Sequence, residues 1–181
     1  VRVREPQSGG GAVLESKGRN DCAKAYVGGF IRGLGYKRMV FRSDNEPSIL
    51  ALLKDVSAGC PELEVIFRNS PQGDSRANGL AEVGVREVKN QTRVLLSELQ
   101  TNYGGKINLK DDAVVTWLVR HAANCINRGR IGTDGLTPER RRTGRRWKRP
   151  CVTFGEACYF KPISVKHRQG HEYRMIKGIY V

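Results

Sequence analysis

Arg38-Met-Val-Phe-Arg-Ser-Asp44-Asn45 is a short β-branched and aromatic run that closes on a carboxylate. It predicts a strand over 37–42, with Asp44 just beyond its carboxyl end. Ligand sites in open α/β sheets collect beyond such ends. Outward from this run, residues 21–34 carry helical spacing, with Ala23, Val27, Phe30 and Ile31 able to share one face. Asn20 or Asp21 would cap that helix and Gly35 would stop it. Residues 47–56 predict a short helix with Pro47 in its first turn, and 63–67 predict another strand. At the amino end, 1–4 and 12–16 read as extended segments around a Ser8–Gly11 turn, a hairpin. The order strand, strand, helix, strand, helix, strand argues a mixed α/β sheet.

Residues 69–78 are rich in Ser, Gly, Asn, Asp and Pro and predict a mobile loop. The longest helix should follow, from about Ser75 to Gln100, before Gly104-Gly105 breaks the chain. A second strong helix is expected over 110–127, with Val114, Trp117, Leu118 and Ala122 at core spacing. After Gly129 the composition changes, and positions 140–149 hold seven basic residues: Arg140, Arg141, Arg142, Arg145, Arg146, Lys148 and Arg149. Short strands are expected at 152–154, 157–160 and 175–181. The division expected is a core over 1–129 and a basic linker with a small β-rich extension over 130–181.

The 181 residues suffice for one domain, or one domain with an appendage, and for a sizeable core. The net charge of +14 points to a polyanionic partner. That charge is uneven. Residues 1–90 carry 14 Lys/Arg against 11 Asp/Glu, a balance of +3; residues 91–181 carry 18 against 7, a balance of +11. The five cysteines are odd in number and form no C-x-x-C pair, so a zinc site is disfavoured and a reduced intracellular compartment is expected. No apolar run approaches the ~20 residues of a membrane span.

Glu82 is the second carboxylate of interest, with 37 residues between it and Asp44. On a helix, Arg86 and Lys89 at i+4 and i+7 share its face. A carboxylate beside two cations suits phosphodiester chemistry: the acid holds a hard divalent cation such as Mg²⁺, and the bases hold the phosphate backbone. The plain alternative is that Asp44 is turn chemistry and Glu82–Arg86 a solvated ion pair worth a few tenths of a kcal/mol.

Ser43-Asp44-Asn45, Ser70-Pro71, and Asn78-Gly-Leu-Ala-Glu82 with Lys89 seven residues on resemble the integrase core of retroviruses and long-terminal-repeat retrotransposons. Thr137-Pro138-Glu139 with Gly144 approximates the T-P-x-E-x-x-x-G pattern of the copia-type subgroup, and Phe154-Gly155, Arg174 and 178–181 resemble its later signatures. The resemblance spans nearly the whole chain. It implies an RNase H-like fold with an Asp-Asp-Glu triad, two Mg²⁺ or Mn²⁺ ions, 3′-end processing and strand transfer. It also implies DNA as partner, a homo-oligomer and a nuclear site of action. Asp44 and Glu82 would be the catalytic and metal-holding pair. Asn78 would end the active-site loop, and Arg86, Lys89 and Arg93 would face DNA.

Glu46 stands where the family usually has Gly, and Val83 where Arg is common. The first triad Asp is expected on a strand ahead of the hairpin, and Glu5 and Asp21 are poor substitutes. The expectation is a fragment, truncated on its amino-terminal side, with an incomplete triad. A non-catalytic nucleic-acid-binding remnant of such a core explains the charge equally well. The 140–149 run reads as a solvated electrostatic arm that touches DNA, Trp147 offering a stacking ring. His121 reads as helix packing, and metal binding at His167 and His171 is disfavoured.

Overall fold

The computed structural model describes residues 8–13, 20–43, 46–69, 79–108, 114–149, 152–161 and 175–180. Helix α1 (Asp21–Leu34) begins at Asn20, whose side-chain oxygen accepts hydrogen bonds from the Cys22 and Ala23 amides at 2.8 and 3.3 Å. It ends at Gly35, where φ is +74° and the amide donates to the Arg32 carbonyl. Ala23, Val27, Ile31 and Leu34 form its buried stripe, and Phe30 is half-buried beside it.

Strand β1 (Arg38–Ser43), helix α2 (Pro47–Ala58) and strand β2 (Glu64–Asn69) follow. β1 and β2 pair in parallel, from Arg38 opposite Glu64 to Ser43 opposite Asn69, with α2 as the crossover. The strands alternate faces. Phe41 and Phe67 meet edge to face at 5.9 Å. Val27, Ile31, Phe41, Val56, Cys60 and Leu63 form one core cluster, which places α1 and α2 against the sheet.

Helix α3 (Gly79–Tyr103) is the longest element, and α4 (Val114–Gly129) packs along it. Leu95, Leu99, Leu118 and Ala122 make a second core between them. Phe154, only 2 % exposed, comes from the far end of the chain to complete that core. Beyond it, β3 (Ala157–Phe160) and β4 (Ile176–Ile179) pair antiparallel. The chain is thus a mixed α/β protein, in line with the sequence reading.

Several local expectations change. The hairpin expected over 1–16 lies mostly outside the described residues. The Ser8–Gly11 stretch, expected as a turn, packs against α1, α3 and α4, and Ser8 is buried. The Gly9 amide donates to Asn127 Oδ1 at 2.9 Å, and Asn127 Nδ2 donates back to the Gly9 carbonyl at 2.7 Å. A Cβ on Gly11 would sit 3.1 Å from Val119 and 3.2 Å from Val88. Residues 152–154 are not a strand: Phe154 and Gly155 sit in a turn, closed by the Glu156 amide on the Thr153 carbonyl. Residues 138–143 form a short helix, α5, capped by the Thr137 hydroxyl, so the front of the 140–149 run is helical while most of its cations are exposed, as expected of a solvated arm.

Candidate functional site

The parallel register fixes which loops share an end of the sheet. Ser43 pairs with Asn69, so the chain leaves β1 toward Asp44 and leaves β2 toward 70–78 on the same side. Asp44 and Asn78 themselves lie outside the described residues. The Ser43 hydroxyl is buried at that end and makes no hydrogen bond among the described residues. With nine residues between it and β2, α3 opens at Gly79 and presents Glu82 in its first turn.

Glu82, Arg86, Lys89 and Arg93 fall at i, i+4, i+7 and i+11 and are all exposed. They form one stripe, turned away from the Leu95 and Leu99 side that packs on α4. The helix folds this way because its apolar positions select the buried face and leave the charged stripe to water. None of Glu82, Arg86 or Lys89 enters an ion pair among the described residues. Among the described residues, Arg93 donates to Asn90, at 3.1 Å on the same helix. The stripe is therefore available to a ligand. Its carboxylate offers the hard oxygen donor that Mg²⁺ or Mn²⁺ takes, so the residue type fits the ion. Among the described residues, no three His, Cys, Asp or Glu side chains gather as a metal group.

The basic run divides. Arg141 Nε donates to Asp134 Oδ2 at 2.8 Å and its Nη2 grips the other oxygen, a bidentate pair. The Arg141 hydrogen bonds hold the Asp134 carboxyl down at about 2. Arg142 donates to the Gly33 carbonyl at the end of α1 and to Glu139, both at 2.8 Å. Trp147 is half-buried, with the Arg128 guanidinium 3.9 Å above its ring and Arg149 at 6.0 Å. Arg140, Arg145, Arg146, Lys148 and Arg149 remain exposed.

Sequence reasoning passed over Arg128 and Arg130. Arg130 ion-pairs with Glu87 on α3. Both arginines sit at the end of α4, outside any charge run, so no local signal marked them. His121 does pack as expected: its ring lies 5.3 Å from Phe154 and 5.6 Å from Tyr180. Burial, with the nearby Arg128 charge second, pushes its pKa below the usual imidazole value.

No family model matches the sequence, and no curated protein matches it. Among solved structures, the chain is similar to the catalytic core domain of BIV integrase, at 21% identity and a TM-score of 0.41, over 67% of this chain and 71% of that one. It is also similar to a chain in the structure of the simian T-cell lymphotropic virus intasome in complex with PP2A regulatory subunit B56 gamma, at 16% identity and a TM-score of 0.49, over 89% of this chain and 54% of that one.

Proposed function

We propose that this chain is the core of an RNase H-like integrase of copia-type retroelement origin, a polynucleotidyl transferase acting on DNA. One arrangement carries the reading. Strands β1 and β2 end side by side, directly before Asp44 and before residues 70–78, and α3 carries the exposed Glu82–Arg86–Lys89–Arg93 stripe from its first turn on.

In this reading Asp44 and Glu82 hold the metal, and Arg86, Lys89 and Arg93 hold the phosphate backbone. Two bound Mg²⁺ or Mn²⁺ ions would activate the attacking oxygen and stabilise the leaving one. The chemistry is attack on a phosphodiester by water, for 3′-end processing, and then by a DNA 3′-hydroxyl, for strand transfer. The cations of the stripe orient the phosphate for that attack and lower the cost of its negative charge. Two DNA ends must be held together, which favours a homo-oligomer, and the substrate places the work in the nucleus. The proposed division keeps 1–129 as core and 130–181 as a basic linker with its extension.

Mn²⁺ uptake followed by its paramagnetic resonance signal tests the metal site directly. The chain should bind Mn²⁺, and Asp44→Asn and Glu82→Gln should each weaken that binding. Each variant should also lose joining of a DNA 3′-end to a second duplex. Full strand transfer after Asp44→Asn would sink the proposal. Salt-sensitive DNA binding with no response to Mg²⁺ would favour the non-catalytic, nucleic-acid-binding remnant.

A further inference from the structure

Helix α3 and the basic segment 145–149 each touch the end of α4. Glu87, in the same turn of α3 as Arg86 and Lys89, ion-pairs with Arg130. Two residues back, Arg128 covers the Trp147 ring at 3.9 Å. The indole Nε1–H is closed off from solvent and makes no hydrogen bond among the described residues. Ring-face contacts therefore hold Trp147, and the guanidinium of Arg128 occupies one face.

The segment is held at both ends as well. Upstream, Arg141 is gripped by Asp134 and Arg142 by the Gly33 carbonyl. Downstream, Phe154 is buried in the α3/α4 core. Between these ties Arg145, Arg146, Lys148 and Arg149 are exposed. A stacking platform for single strands needs an open aromatic face. Trp147 gives up one of its faces to Arg128. Cations fixed at set spacing suit the regular phosphates of a duplex instead.

We infer that Trp147 is a positioning residue: clamped by Arg128, it fixes 145–149 as a continuation of the α3 stripe, so that one DNA duplex meets both. The inference rests on the DNA-binding reading above and adds which side chain organises the second half of the duplex-binding surface. Arg128 and Trp147 act through the exposed cations and do not read bases.

The experiment uses the full chain and a fluorescein-labelled DNA duplex, with binding measured over a series of salt concentrations. Trp147→Ala should flatten the salt dependence by about 0.9 in logarithmic slope for each phosphate that the segment no longer neutralises. Trp147→Phe should restore it, because the ring face is kept. Trp117→Phe leaves Trp147 as the sole tryptophan. Its emission and its shielding from acrylamide should then be unchanged at saturating unlabelled duplex. Strong quenching by DNA, duplex or single-stranded, would mean base stacking and would overturn the inference, as would a wild-type salt slope in Trp147→Ala. If the wild-type chain shows no salt-dependent duplex binding, the DNA-binding reading falls with it. If wild type binds and only the Trp147 outcomes fail, the functional proposal stands and this inference alone falls.

Discussion

On α3, Arg86 and Lys89 reach into water with no ion-pair partner among the described residues. In the segment that opens at Pro138, Arg141 and Arg142 are bound to Asp134, Glu139 and the Gly33 carbonyl, and Arg128 of α4 covers the Trp147 ring. The residue types are the same and the consequence is opposite. A cation on a regular helix, opposite its apolar face, costs little to leave solvated and stays free for a ligand. A cation that lies beside a carboxylate or the carbonyl at a helix end, as Arg141 and Arg142 of α5 do, satisfies that group and becomes part of the fold. Net charge measures attraction to a polyanion. It does not tell which cations are free to meet one.

The sharpest way to break this comparison is to release the downstream tie of the basic segment. Gly155 has φ of +85°, and a Cβ there would lie 2.4 Å from Leu99 Cδ1 in the buried α3/α4 core. Its amide donates to the Tyr180 carbonyl at 2.7 Å, and its carbonyl accepts from the Tyr103 hydroxyl at 2.6 Å. Gly155→Ala adds backbone strain to overpacking, together roughly 2–5 kcal/mol in urea unfolding. Arg86→Ala, on the free stripe, should stay within about 0.5 kcal/mol of wild type. A Gly155→Ala protein as stable as wild type would show that the segment is not held from this end.

The reverse contrast appears in binding. Replacing Arg86, Lys89 or Arg93 by Ala should lower the salt slope of duplex binding by about 0.9 for each phosphate left without its cation. Arg141→Ala should leave that slope near wild type, because its guanidinium is already committed to Asp134. Fluorescence anisotropy across a sodium chloride series separates the two groups. Equal losses of slope from Lys89→Ala and Arg141→Ala would erase the distinction.

A smaller effect comes from His121, which joins the two regions by packing on Phe154 and Tyr180. Burial first, and then Arg128, depress its pKa, so the folded state prefers neutral imidazole. The unfolded chain takes up the proton near its ordinary value of about 6.5. Below that pH the unfolded state binds more protons, and stability falls as the medium acidifies; above it the contribution is full. Urea midpoints should therefore decline from pH 7 toward pH 5.5, and His121→Gln should flatten the curve. Parallel curves for the two proteins would contradict the packing argument.

Much of the first half was legible because its rules are local. Asn20 caps α1 and Gly35 ends it, Pro47 opens α2, and the 38–43 run is a strand, as spacing and cap chemistry require. The Glu82–Arg86–Lys89 stripe follows from helical geometry alone. What was not legible depends on distant partners. Nothing near Ser8–Gly11 says that Gly9 will bond Asn127 across 118 positions. Nothing near Trp147 says that Arg128 will cover it. Residues 152–154 alternate like a strand, yet Phe154 gains more by entering the α3/α4 core than by pairing along an edge.

The smallest effect tests the upstream tie. The Asp134 carboxyl is depressed to about 2, chiefly by hydrogen bonds from Arg141, with its own loop amides adding to them. A depressed carboxyl contributes above its unfolded value of about 3.9, and the contribution is lost as pH falls through about 2. At neutral pH the pair is intact but exposed, so salt screens it and the gain to global stability is slight. Its role is local. Gly132 passes so close beneath Arg141 that a Cβ there would lie 2.0 Å from Nη2, so Gly132→Ala should displace the guanidinium much as Asp134→Asn does. Both variants should speed amide exchange over 132–136, where the Gly132 and Gly135 amides close the turn, without moving the urea midpoint. Because the stripe on α3 does not depend on this turn, the salt-slope losses of Arg86→Ala and Lys89→Ala should be the same in an Asp134→Asn background. Non-additive losses would mean that the two cation sets are mechanically coupled more tightly than the Glu87–Arg130 pair alone can account for.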